Sequence, residues 1–219
     1  MPDSALRAGN TPHPTSWPGI PYLGLLGLSY VASAWLGKSM ALLPESGAVL
    51  WLPNGLCVGV LLFCDRRAWP RLMATAVLAE IAGDVLIFDF SLPVGMGLAL
   101  GNSLEILTAA WLVQRFSGIP YGFQDLRDIL ALIVLAAGIA PAGSAIVGTV
   151  TFAAAGIAPL SATWPSWWIN DAVGMLIVAP PVLVFLQGRT KWRELIRTRW
   201  PEVLLLLATL VVVALTVFG

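Results

Sequence analysis

The sequence predicts an all-α bundle of transmembrane helices, and three observations carry that expectation. The chain is 58% hydrophobic and only 11% charged, whereas a soluble domain carries about 25% charged residues. Its mean hydropathy is +0.85. Apolar stretches of about 20 residues, long enough to cross a bilayer as a helix, recur along the chain. Strand-type alternation is absent, so a membrane β-barrel does not compete. Twelve basic residues balance twelve acidic ones, leaving no excess to neutralise phosphates, which excludes nucleic-acid binding. A single histidine (His13) and two cysteines (Cys57 and Cys64) exclude histidine-rich metal sites and a disulfide scaffold.

Residues 1–19 are polar and proline-rich and read as a cytoplasmic tail, with no cleavable signal peptide. Seven spans follow, predicted at 20–42, 47–64, 69–88, 93–115, 127–154, 164–187 and 201–218. Arg7, Arg66, Arg67, Arg71, Arg115, Arg127, Arg189, Lys191, Arg193, Arg197 and Arg199 fall on one side of that arrangement and only Lys38 on the other. Positive charge marks the cytoplasmic side, so the N-terminus and the basic loops are expected inside. Gly219 then ends an apolar run on the outer face. That placement predicts a membrane domain of residues 20–219 cut before a next span that returns to the cytoplasm, the alternative being a genuine seven-span protein.

The second span opens on WLPNG, Trp51 to Gly55. Trp51 suits the aromatic belt at the interface, Pro53 predicts a kink, and Asn54 and Gly55 offer a polar group and a close helix approach. The third span carries Glu80 and Asp84 at i and i+4, a stacked like-charge pair. Such a pair either shares a proton or holds a cation. In the fourth span Gly97, Gly101 and Glu105 form a stripe with Asn102 beside it. The fifth carries Ala136, Ala140, Ser144 and Gly148, a packing stripe. The sixth begins with a tryptophan cluster, Trp164, Trp167 and Trp168, followed by Asn170, Asp171 and Gly174. Pro180 and Pro181 are expected to break that helix before its cytoplasmic end.

Four carboxylates at membrane depth, Glu80, Asp84, Glu105 and Asp171, have no basic residue at comparable depth. Each charge costs about 2.5–3.5 kcal/mol at the bilayer centre, about 10 kcal/mol for four. They are therefore expected to converge on one polar cavity open to the outer side, near Asn54 and Trp168, where protons, water or a cation can be shared.

WLPNG, the short basic loop DRRAWP, and a late WW-x-x-D-x-x-G span ending in Ala-Pro together resemble the membrane-associated sensor domain of the first MASE type. The resemblance covers residues 20–219, and its motif positions here are Trp51, Pro53, Asn54, Gly55, Trp167, Trp168, Asp171, Gly174 and Pro180. It implies a multi-pass sensory domain of about eight spans in the bacterial inner membrane. It further implies a histidine kinase, diguanylate cyclase or phosphodiesterase module in cis, a homodimer for signalling, and no cofactor. No nucleophile–base pair, phosphate loop or metal constellation is legible, so the chain is not expected to be an enzyme. The competing readings are a small-solute transporter or substrate-capture subunit, and a scaffold that binds a partner membrane protein.

Overall fold

A computed structural model describes residues 19–40, 50–118, 125–188 and 200–202, with the backbone alone at 161 and 162. All regular structure among these residues is helical, with no strand. The rods are α1 (Ile20–Ser39), α2 (Leu52–Phe63), α3 (Trp69–Leu86), α4 (Leu92–Ser117), α5 (Leu126–Ala154) and α6 (Leu160–Gln187), with a 3-10 turn at Arg66–Ala68 before α3. The chain divides into two compact units, Met1–Leu183 and Val184–Gly219. Of the second, the described residues are the end of α6 and a helical turn at 200–202. Residues 203–218 of the predicted last span, the basic linker at 189–199 and residues 1–18 of the N-terminal tail lie outside the described residues.

Proline punctuates the helix starts. Pro21, Pro53, Pro70 and Pro93 each sit in the first turn of their helix, where the missing N–H has no intrahelical partner to lose. Pro53 thus begins a helix rather than kinking one. Trp51 is extended, at φ −93° and ψ 90°, and a helix continued upstream would drive the proline ring against the carbonyl four residues before it. The expected kink is corrected to a helix start.

Among the described helices, α1, α4, α5 and the stretch Thr163–Gln187 of α6 are long and apolar enough to cross a membrane. α2, with 12 residues, rises only about 18 Å. α3 is lengthened in polarity by Arg71, Glu80 and Asp84. α5 is π-helical over Ala131–Ile139 and α-helical from Ala140. The wider turn ends where Pro141 removes a backbone donor, a common origin of such bulges. α6 holds Pro165, Pro180 and Pro181 inside one unbroken helix. The expected break at Pro180 and Pro181 is therefore absent, since proline keeps a helical φ and a membrane helix tolerates the lost backbone bonds.

In the first unit α4 is central, packing on α2, α3 and α5, while α1 covers α2 and α3. Val58, Leu61, Ile106, Val113, Met175 and Leu183 form the apolar core. Outward, Leu25, Leu28, Leu78, Leu100, Val134 and Ile177 are each more than half exposed. In water such a surface would be a liability; against acyl chains it is the expected coat.

Candidate functional site

α2 begins at Leu52, so Asn54 falls in its first turn and points into the bundle, fully buried. A directional chain of hydrogen bonds runs through it. The Trp51 indole donates from Nε1 to Asn54 Oδ1 at 3.2 Å, and Asn54 Nδ2 donates to Asn102 Oδ1 at 3.0 Å. Asn102 Nδ2 then donates to Glu80 Oε1. Beside this chain, Glu105 lies against Asn54 and Asp171, and Ser144 Oγ donates to Glu105 Oε2 at 2.5 Å. Tyr30 lies against Glu80, and Trp167 against Asp171. Every described helix thus contributes to one polar cluster: Tyr30, Asn54, Glu80, Asn102 with Glu105, Ser144, and Asp171, taken from α1 to α6.

None of these seven side chains is more than 2% exposed. The structure therefore replaces the expected open, wet cavity with a closed interior cluster. Four of its atoms or neighbours lack any hydrogen-bond partner: Tyr30 Oη, Glu105 Oε1, Asp171 Oδ2 and Asp84 Oδ2. No three acidic, cysteine or histidine side chains among the described residues, Glu80 and Asp84 included, are placed to hold a metal ion.

The two sequence motifs meet at a joint between α2 and α6. The Trp51 backbone N–H donates to the Asn170 carbonyl at 3.4 Å. A Cβ added to Gly174 would overlap the Trp51 carbonyl, and one added to Gly55 would stand 2.8 Å from the Gly174 oxygen. One turn further, a Cβ on Gly59 would stand 2.9 Å from Val182 Cβ. Gly55 and Gly59 at i and i+4 form the small-xxx-small pattern by which membrane helices approach closely. α4 and α5 use the same device, with Gly97 against Thr151 and Gly101 against Ser144 and Val147.

Aromatic rings continue from this joint. Trp51 meets Phe88, Phe88 stacks on Phe90, Phe90 meets Phe152 edge-on, and Phe152 meets Trp167, with centroids 5.2–6.0 Å apart. Lys38 lies 5.0 Å over the Phe88 ring and donates to the Ile87 carbonyl.

Some candidates fall elsewhere. Trp168 does not face the acids; its indole donates to the Gly138 carbonyl at 2.9 Å and its ring stacks on Trp164. One residue along a helix is about 100° of rotation, which sends Trp167 inward and Trp168 against α5. Asp84 packs beside Gly95, a turn away from Glu80. Pro53 is a buried helix-start residue and Asn170 contributes its carbonyl. Sequence reasoning missed Tyr30, Gly59 and the polar role of Ser144. The Gly55–Gly59 spacing was a usable sign; a lone tyrosine on an apolar helix was a weak one.

Thr149 is a further buried polar residue, on α5. It is buried at 1% and its hydroxyl has no partner, so the shape-matched Thr149→Val removes only an unpaid desolvation cost. Stability in detergent unfolding should stay level or rise by about 1 kcal/mol. A loss of that size would mean that the hydroxyl has a partner after all.

Comparison with known proteins gives one result. The family model MASE1 matches residues 22–219. No curated protein and no solved structure matches the chain.

Proposed function

The chain belongs to the MASE1 family of membrane sensory domains, and on that premise we propose that it senses within the interior of its bundle and passes the result to a signalling module on the same polypeptide. It is a multi-pass membrane protein with a sensory role. The observation that supports the finer reading is the single closed polar cluster to which all six described helices contribute, with no basic side chain of the described residues in it. Such a cluster has few ways to satisfy itself, and a change at one member forces its neighbours to re-pair. That is the property of a bistable element.

In this reading the stimulus acts in the outer half of the bundle, α6 moves against α2 at the glycine joint, and the basic linker carries the change to a cytoplasmic kinase, cyclase or phosphodiesterase. The membrane is the bacterial inner membrane, with the N-terminus and the basic loops inside. Asp171→Asn keeps the side-chain shape while removing its charge. In a protein that carries its output module, it should lock the output in one state and leave the folded yield unchanged. Full response in that variant would sink the proposal.

Topology has its own test. In a background with Cys57 and Cys64 replaced, single cysteines at 67 and 193 should react only from the cytoplasmic side, and those at 45 and 161 only from outside. Labelling of position 193 from outside would reverse the proposed orientation.

A further inference from the structure

We infer that Glu105 and Asp171 bind one proton between them, and that this proton is the ligand that holds α6 to the centre of the bundle. This deepens the reading of the domain as an interior sensor and rests on it only for the consequence at the output. The two carboxyls come from α4 and α6, are each 1% exposed and lie against one another. Each keeps one oxygen with no hydrogen-bond partner, Glu105 Oε1 and Asp171 Oδ2. Two bare carboxylates in contact inside a low-dielectric interior repel strongly. One proton taken up from water changes the pair from two negative charges to one and turns the repulsion into an O–H···O bond of the strong, charge-assisted kind.

The surroundings leave little choice of ligand. Tyr30 from α1, Cys57 from α2, and Glu80 and Asp84 from α3 are the other titratable groups facing this interior. α5 supplies the Ser144 hydroxyl. No Lys, Arg or His of the described residues lies among them, and no three acidic, cysteine or histidine side chains of those residues are placed to hold a metal ion. Trp51, Asn54 and Asn102 all donate in the direction of Glu80. Glu80 takes the end of that chain, whereas Glu105 and Asp171 stand against one another with one unpartnered oxygen each, and that contact assigns the proton to them. Losing the proton restores two charges at the α4–α6 contact, one turn from Gly174 and the Trp51 carbonyl.

The test uses the full chain in lipid nanodiscs, with carboxyl-labelled aspartate and glutamate, followed by infrared difference spectroscopy as pH is raised. The wild type should lose part of the isotope-shifted carbonyl band of protonated carboxyls in a step that depends on Glu105 and Asp171. Glu105→Gln with Asp171→Asn should lose that step entirely, and Glu105→Gln alone, the milder change, should displace it. An unchanged step in both variants, a wild type with no such step, or a step set by sodium ion at fixed pH would overturn the inference. The same variants joined to an output module separate this claim from the sensory one. A proton step to which the output is indifferent leaves the site standing and counts against the proposed function. An output that follows pH while the double variant still titrates counts against the site.

Discussion

Gly174→Ala should abolish the native packing of α6, with a loss of about 3 kcal/mol or more in reversible unfolding from mixed micelles. The added Cβ would overlap the Trp51 carbonyl oxygen and stand 2.7 Å from its carbon and 3.4 Å from the Leu52 nitrogen. Overpacking that a side chain can relieve costs about 1–3 kcal/mol; here the obstacle is backbone at a helix start and has no rotamer to yield. Gly83 is the control. A Cβ there meets nothing within 4 Å, so Gly83→Ala should stabilise α3 by up to about 1 kcal/mol through helix propensity alone. Equal effects at the two glycines would remove the case for a tight joint.

Asn102→Ala should be the most damaging change within the polar cluster, destabilising the domain by about 3–5 kcal/mol. Asn102 accepts from Asn54 and donates to Glu80, and all three are at most 2% exposed. Truncation strands an amide donor and a carboxyl oxygen at once, each costing about 1–3 kcal/mol and the carboxyl more. Asn102→Leu, which also fills the volume, should recover little, because its defect is unpaired polar groups rather than a void. If Asn102→Leu unfolds at the wild-type midpoint, the hydrogen-bond chain carries no stability.

Much of this was legible from residue types. The membrane class follows from charge scarcity, and the interior position of the acids follows from their cost at depth with no base to pair them. The motif residues Trp51, Asn54, Gly55, Asp171 and Gly174 could be named from composition and spacing. Their mutual contact could not, because it depends on how α2 and α6 cross. Pro53 was misread since a proline in a first turn and one at a kink look alike when the preceding residues are apolar. Ser144 looked like packing because a small hydroxyl on a stripe of alanines shows its role only once Glu105 stands opposite. The open cavity was the wrong solution to a correctly posed problem. The acids are relieved by amides, a hydroxyl and one another, a solution available only in a specific tertiary register.

In the proposed mechanism α2 and α6 form one joint, packed through glycines and bonded through the polar cluster, whose geometry sets the output. Cysteines at Gly59 and Val182 would place their Cβ atoms 2.9 Å apart, so a separation of under about 1 Å reaches disulfide geometry. In native membranes, with an output module attached and Cys57 and Cys64 replaced, that pair should close under mild oxidant. The decisive measurement is the output of the closed form with and without Asp171→Asn. On the proposed mechanism, closing the bond cancels the shift caused by Asp171→Asn and reduction restores it. A shift of undiminished size across the closed bond would contradict it.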